Sequence, residues 1–314
     1  VLALVVTYNR IELLKRCVAA LERSVSFAER SVSDVEREAF SCDILVVDNA
    51  STDGTQQWLK KQEESVQTKA EDGDGFRGRF YAEYLPENRG GAGGFSYGMK
   101  KAYEMGYDFV WIMDDDTLVH KDTLKELLKA AGDVQDPGFG FLSSTVLWID
   151  GTPCKMNRQT YVKKASPAEP LLPVKNATFV SLLFSREAME KAGLPISEYF
   201  IWGDDKEYTG RVSDVLPCYH VTSAAVTHAM KENAGSNIVT DSAGRIDRYF
   251  YAYRNDWATA RSRGVLEMLI YVLAFVLNGF RIIWKARDFK KERLRVMCRG
   301  FRAGVKFHPE IRRV

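Results

Sequence analysis

The chain has 314 residues, 46% hydrophobic and 27% charged, proportions that exclude a disordered or fibrous polypeptide and allow one large core or a core with an appendage. Its net charge of +2 hides an uneven distribution: residues 281–314 carry 12 Lys/Arg against 3 Asp/Glu, and residues 1–280 carry 32 against 39. A basic end on an acidic body calls for an anionic surface as that end's partner. The five cysteines, Cys17, Cys42, Cys154, Cys218 and Cys298, stand far apart without a CxxC pair. That spacing excludes a zinc site and a disulfide framework, and a reducing compartment is expected. Val1 opens directly into an apolar run with no basic preface, so no signal peptide is expected in these residues.

Residues 1–6 form a continuous apolar run suited to a buried parallel strand. Helical spacing follows over residues 11–21, then a charged, irregular stretch up to Ser41. Residues 43–47 predict a second buried strand, ending at Asp48-Asn49. Ser51-Thr52-Asp53-Gly54 supplies capping residues for a helix over residues 52–61, and the polar residues 62–79 predict a loop. Residues 79–85 predict a third strand, 94–105 a helix, 108–113 a fourth strand and 117–131 a helix. Alternating strands and helices indicate an α/β domain with a largely parallel central sheet, whose ligands bind at the C-terminal ends of the strands.

Four polar clusters fall after these strands: Thr7-Tyr8-Asn9-Arg10, Asp48-Asn49-Ala50-Ser51, the run from Asn88 to Gly94, and Asp114-Asp115-Asp116. Alternation along a strand sends Asp114 and Asp116 to one side, with Asp115 turned away or towards a second partner. Hard carboxylate oxygens suit Mg²⁺ or Mn²⁺, and Mg²⁺ sites combine one or two carboxylates with substrate phosphates. A solvated acidic turn is the plainer alternative. The run Asn88-Arg89-Gly90-Gly91-Ala92-Gly93-Gly94 leads into a helix, where bare backbone and the helix dipole favour an anion. It is neither GxGxxG nor a P-loop, and a flexible turn would look the same.

VVTYNR, VVDNASTDGT, NRGGAGGF and WIMDDDT, in that order, resemble the nucleotide-sugar half of family 2 glycosyltransferases, which have the GT-A fold. Tyr199 to Tyr208, reading YFIWGDDKEY, is similar to their acceptor-side acidic motif, and Val226-Thr227-His228 to their metal-binding histidine segment. The resemblance covers residues 1–257 and is closest to bacterial galactofuranosyltransferases. Rhamnosyltransferases, close relatives, often carry glutamine inside the metal motif, where this chain has Asp115.

The resemblance implies a GT-A catalytic domain over residues 1–230, with a donor half (1–120) and an acceptor half (121–230), and a helical, basic region over 231–314. It implies that Thr7, Asn9 and Arg10 line the nucleotide pocket, with Asp115 on the donor side. Asp48 would bond the pyrimidine base, Asn49 and Ser51 would shape that site, and Asn88, Gly90 and Gly91 would lie near the diphosphate or sugar. Asp114, Asp116 and His228 would hold Mn²⁺ or Mg²⁺. Asp205 would be the general base and Asp204 would orient sugar hydroxyls. Glu207 would be a second orienting group or a helix-start carboxylate, and Trp202 core packing or a stacking platform for an acceptor sugar.

The chemistry agrees with these assignments. A leaving nucleoside diphosphate needs its charge stabilised, which a divalent ion does, and an acceptor hydroxyl needs a carboxylate base. One base opposite the leaving group predicts inversion without a covalent intermediate. The expected donor is UDP-galactofuranose and the acceptor a cell-surface glycan or lipid-linked oligosaccharide, with a dTDP-sugar rhamnosyltransferase as the nearest alternative. The intact set Asp114, Asp116, Asp205 and His228 argues against a binding protein that lost catalysis, and a nucleotidyltransferase would have no obvious use for the WGDD motif.

Each group also has a plainer account. His228 could be an ordinary core histidine, and Asp204 to Glu207 a helix start whose acids only satisfy the dipole. Tyr249 to Asn255, reading YFYAYRN, resembles the aromatic-Arg-Asn segment after the histidine in these enzymes and reads as a structural aromatic helix, with Arg254 a weaker candidate for phosphate. Residues 268–280 hold no charge, but 13 residues fall short of the ~20 that span a bilayer. An interfacial or packed helix is expected there. The cationic stretch beyond, interleaved with apolar residues, suits anionic lipid at the inner face of the cell membrane or a solvated appendage. Nucleic acid is not expected as a partner, since no such motif accompanies it.

Overall fold

The computed structural model describes residues 1–31, 41–69, 76–134, 138–162 and 169–314. Four parallel strands, β1 (Leu2–Thr7), β2 (Asp43–Asp48), β3 (Phe80–Tyr84) and β4 (Phe109–Asp114), lie in the order β3-β2-β1-β4. β1 is buried throughout because successive side chains enter opposite layers: Leu2, Leu4 and Val6 join one apolar cluster, and Ala3 and Val5 the other. Helices α1 (Ile11–Ser31) and α2 (Thr55–Lys69) cover one face through Leu14, Leu21 and Leu59. Helix α3 (Gly90–Glu104) covers the other through Phe95 and Met99.

Register matters most at the rim. Thr7 pairs with Asp48, Asp48 with Tyr84, and Val6 with Asp114, so the strands deliver their C-terminal residues to one edge. Beyond Asp114 come β5 (Thr117–Val119), helix α4 (Thr123–Asp133) and strand β6 (Phe141–Trp148). Strands β7 (Thr160–Tyr161), β8 (Leu171–Asn176) and β9 (Leu182–Ser185) follow, then helices α5 (Arg186–Ala192) and α6 (Asp204–Ser213) and strand β10 (Tyr219–His228). The sheet continues β4-β9-β6-β10-β8-β7, with β9 antiparallel to both neighbours and β5 antiparallel to β10.

The last helices are α7 (Ala243–Ile246), α8 (Tyr249–Arg263), α9 (Val265–Lys285) and α10 (Lys290–Lys306). They share a small core that includes Tyr253, Ile282, Val296 and Met297. Arg293, 1% exposed, donates to the carbonyls of Ile238 (2.6 Å) and Asp241 (2.8 Å) and pairs with Asp288 (2.6 Å). A buried cation of this kind needs such partners to offset its lost hydration.

Several expected boundaries are corrected. The helix expected to stop at Leu21 runs to Ser31, because Val25 and Ala28 continue its buried stripe. The helix expected over residues 52–61 begins at Thr55 and reaches Lys69. Its polar second half is rich in the helix formers Gln, Glu and Lys, and Glu63 accepts the Ala82 N–H on β3 (2.9 Å). Residues 32–40 of the expected irregular stretch and 70–75 of the expected loop lie outside the described residues. Helix α3 starts at Gly90, within the glycine run, where the Asn88 side chain accepts the Gly90 N–H (2.8 Å). The single helix expected over 117–131 is split. Thr117 and Val119 are β-branched and pair as a strand with β10, and the helix opens only at Thr123. The uncharged residues 268–280 sit within a helix of 21 residues, long and apolar enough to cross a membrane by length and composition. The shorter estimate left out the flanking Val265, Leu266, Ile282, Ile283 and Trp284.

Helix α3 sits close to the sheet because it presents glycine to β1. A methyl group on Gly98 would run into the Leu4 side chain. Gly98→Ala is expected to cost about 1–3 kcal/mol in urea unfolding, as overpacking usually does. An unchanged midpoint would contradict this close approach.

Candidate active site

Strand β4 ends at Asp114, and the chain turns back through Asp115 and Asp116 into β5. The antiparallel pairing of β5 with β10 sets Thr117 opposite His228, and the Ala229 N–H closes on the Asp116 carbonyl (2.8 Å). His228 Nε2 thereby meets Asp116 Oδ1 at 2.9 Å. Donor atoms of Asp114, Asp116 and His228 all lie within 4.8 Å of one another. Asp115 turns to a different partner, taking a hydrogen bond from the Thr7 hydroxyl (2.8 Å). Arg10 Nη1 bridges Asp115 Oδ1 (3.2 Å) and Asp116 Oδ2 (2.8 Å).

So much charge with little water perturbs every member. Burial and the neighbouring Asp116 push the Asp114 carboxyl up to about 7. Burial raises Asp115 to about 6 against the opposing pull of Arg10. Asp116 is also buried, yet its hydrogen bond with His228 and that ring's charge hold it below the usual carboxylate range. His228 is raised to about 10: burial alone would lower it, but the hydrogen bonds to Asp116 and Cys154 prevail. The Asp114 carboxylate accepts no hydrogen bond from the described residues. Two carboxylates and an imidazole make a donor set that fits a divalent cation.

Behind the histidine stand residues that sequence reasoning missed. Asn157 Oδ1 meets His228 Nδ1 at 2.7 Å and accepts from the Cys154 thiol (2.9 Å), while Asn157 Nδ2 donates to Thr178 (2.9 Å). This fixes the ring, as partners behind a ligating histidine do. Nothing in the local pattern around Asn157 announces it.

The expected donor residues surround the same rim and brace one another. Asn9, at φ 52°, accepts the Thr52 N–H (2.7 Å), and its own N–H meets the Ser51 hydroxyl (2.8 Å). Asp48 is fully buried and accepts from the Ser51 N–H (3.1 and 3.2 Å) and Gln56 (2.9 Å). Asn49 clasps the glycine run, donating to the Gly90 carbonyl and accepting from the Arg89 N–H, both at 2.8 Å. Gly90 has φ 70°, and a Cβ there would strike the Phe200 carbonyl, so glycine is required. Gly91 is less crowded, with only the Phe95 ring near the position of a Cβ.

The Phe200 carbonyl also accepts the Ala92 N–H (3.1 Å), which ties the glycine helix to the turn carrying the late acidic motif. Within that turn Phe200, Trp202 and Gly203 have φ of 66°, 62° and 88°. Positive φ at bulky residues costs energy and persists only where surroundings enforce it. Buried Asn255 enforces it, donating to the carbonyls of Tyr199 (2.9 Å), Ile201 (3.1 Å) and Trp202 (2.7 Å). The turn launches α6 with Asp204 and Asp205 in its first turn. Burial raises Asp205 to about 6, with Asp256 adding to it, although the Lys206 N–H opposes the shift. Asp204 is pushed well above its ordinary value by burial, then by Asp205, and the charge of Asp114 reaches it too. The metal-type cluster and the late motif are therefore one electrostatic neighbourhood.

Two expected acceptor residues have partners within the chain. Glu207 forms a bidentate pair with Arg211 (2.8 and 2.9 Å), an i,i+4 spacing legible in the sequence. Arg211 also donates to the carbonyls of Ala192 and Leu194. Half-buried Trp202 packs edge-on against Tyr249 with centroids 4.9 Å apart. Arg254 donates to the carbonyls of Glu198 (2.7 Å) and Tyr199 (3.0 Å), as its structural account expects.

Three outcomes follow from this geometry. Protons compete with a cation for His228 and Asp114, so Mn²⁺ affinity measured by calorimetry should rise from pH 6 to pH 8. The His228–Asp116 pair should conversely stabilise the metal-free protein below the unfolded histidine value of about 6.5 and fade as pH climbs through about 10. A flat metal affinity would contradict this site. Asn255→Ala should cost about 1–3 kcal/mol in denaturant unfolding, since it strips partners from buried carbonyls; a neutral effect would mean the turn holds itself.

Comparison with known proteins agrees with this architecture. Residues 3–149 match the family model "Glycosyl transferase family 2". The chain is 26% identical over 203 residues to galactofuranosyltransferase GlfT1 of Mycolicibacterium smegmatis, covering 58% of this chain and 66% of that protein. It is 27% identical over 206 residues to GlfT1 of Mycobacterium tuberculosis, covering 58% and 64%. The chain thus spans just under two thirds of the curated relatives it matches. Among solved structures, GalNAc-T7 with UDP, GalNAc and Mn²⁺ aligns with TM-score 0.61 at 12% identity, covering 97% of this chain and 55% of that one. Mannosyltransferase PcManGT of Pyrobaculum calidifontis, in complex with GDP-Man and Mn²⁺, aligns with TM-score 0.54 at 17% identity, covering 97% and 74%. With its mostly parallel sheet, rim motifs and these neighbours, the chain has the GT-A fold, and its residues 3–149 carry the pattern of a family 2 glycosyltransferase domain.

Proposed function

We propose that this protein is a metal-dependent, inverting glycosyltransferase that moves galactofuranose from UDP-galactofuranose to a hydroxyl of a cell-surface or lipid-linked glycan at the inner face of the membrane. The observation that carries the reading is the gathering of donor atoms of Asp114, Asp116 and His228 within 4.8 Å, with the charge of Asp114 felt at Asp204. The names of the GlfT1 relatives support the choice of sugar.

In this reading Asp114, Asp116 and His228 hold Mn²⁺ or Mg²⁺, which when bound supplies charge stabilisation to the leaving diphosphate. Thr7, Asn9, Arg10, Asp48 and Asn49 form the nucleotide side. Asp115 keeps Thr7 and Arg10 aligned there, and Asn88, Gly90 and Gly91 frame the diphosphate. Asp205, at about 6, is ionised at neutral pH yet basic enough to accept the acceptor hydroxyl's proton. The acceptor oxygen bonds to the anomeric carbon as the bond to the nucleoside diphosphate breaks on the opposite face, so configuration inverts. Asp204, whose proton affinity burial and the neighbouring Asp205 raise, orients sugar hydroxyls. Trp202 and Glu207 shape the acceptor side, Glu207 through its pairing with Arg211.

Calorimetry with UDP and dTDP, each with Mn²⁺ and with chelator, tests the donor. Metal-dependent preference for UDP is expected, preference for dTDP would indicate a rhamnosyltransferase, and binding of neither would contradict the reading. Asp205→Asn should lower transfer by roughly 100- to 10,000-fold while UDP binding persists, as loss of a general base does. Near-normal transfer by that variant would remove Asp205 from the mechanism.

A further inference from the structure

Helix α9 has the composition of a core helix and the position of a surface one. Ile282 is its only buried residue. Val265 is 74% exposed, Leu266 70%, Leu269 and Leu273 62% each, and Trp284 74%. An exposed apolar face of this extent marks an interaction site.

The opposite face is tethered along the helix. The Tyr271 hydroxyl donates to the Tyr253 carbonyl (2.9 Å), and Asn278 donates to the Tyr253 hydroxyl (3.4 Å). Tyr271 and Phe275 pack against Phe301 of α10, with centroids 6.1 and 5.0 Å away. A helix held at its middle and its end by α8 and α10 lies along the protein surface. To span a bilayer it would have to strip off these contacts. The charge pattern names the occupant. Directly after Trp284, exposed Lys285, Arg287, Lys290 and Lys291 follow, interrupted only by Asp288, which Arg293 occupies (2.6 Å). An apolar face ending in tryptophan and a cationic rim is the chemistry of an in-plane helix on anionic lipid.

We propose that the exposed face of α9 docks in the plane of an anionic bilayer, with the cations of the α9–α10 turn on lipid headgroups. The docked helix also bears on the site. Asn278 and Arg281 line a cavity of about 330 Å³ together with Tyr249 and Asp256, and Asp256 is the carboxylate whose charge acts on Asp205. Docking therefore sets the Asp205 side of the enzyme at the membrane surface, where a lipid-linked acceptor, under the proposed function, would arrive.

Vesicle flotation of the full chain tests the docking, using phosphatidylcholine with and without phosphatidylglycerol. The chain should float only with phosphatidylglycerol, lose binding at high salt, and be released by alkaline carbonate. Leu269→Glu with Leu273→Glu, at exposed positions, should remain in solution with an unchanged melting temperature and unchanged Mn²⁺-dependent UDP binding. Lys290→Glu with Lys291→Glu should weaken partition by roughly tenfold or more, given the strength of each headgroup contact. Failure to float with either vesicle would overturn the docking. So would carbonate-resistant insertion, or a dimer in light scattering that the leucine variant abolishes. UDP binding reads the donor site separately, so either proposal can fail alone.

Discussion

Three carboxylates crowded at the end of a buried strand are the constraint around which the rest of this molecule is arranged. Like charges that close, with little water, raise one another's proton affinity and destabilise the fold unless cations answer them. Asp114 shows the unanswered part, raised to about 7, while Asp115 and Asp116 share Arg10, and Asp116 has His228 as well. The protein supplies enough positive charge to fold and leaves one carboxylate without a partner among the described residues. That balance suits a site built to receive a cation and an anionic ligand together.

The partners come from far along the chain, so the sheet has to deliver them. Parallel pairing lines up Thr7, Asp48 and Asp114 at one edge. The three-residue strand β5 then carries the chain from Asp116 directly onto β10, setting His228 beside the carboxylate it bonds. At the late acidic motif the equivalent task falls to a strained turn. Phe200 and Trp202 are held in left-handed conformations by the single amide of Asn255, and the Phe200 carbonyl anchors the start of α3. Asp204 and Asp205 open helix α6 because this turn ends where it does.

Much of this was legible in the residues, and the remainder has physical reasons for being hidden. β1, β2 and β4 announce themselves because strands buried on both faces need unbroken apolar runs, and polar residues after such runs must sit at the rim. Strand alternation predicts Asp114 and Asp116 on one side and Asp115 on the other, but the strand stops at Asp114 and it is the turn through Asp115 and Asp116 that sets them so, with His228 beside them. Helix lengths were underestimated where charged helix formers look like loop, as after Lys61. β5 looks helical in the sequence because a three-residue strand exists only through its tertiary pairing with β10. Asn157 and Asn255 carry no periodic signal at all, since each acts through hydrogen bonds to distant segments. The exposure of α9 was equally hidden, because an apolar helix reads the same whether it faces a core or the outside.

The central claim is that Asp114, Asp116 and His228 form one metal site that also faces the donor diphosphate. Pulsed electron paramagnetic resonance of bound Mn²⁺ tests it directly. The account predicts nitrogen modulation from one imidazole, absent in His228→Ala, and a phosphorus coupling that appears when UDP is added. Mn²⁺ bound without nitrogen modulation, or UDP bound without phosphorus coupling, would contradict it.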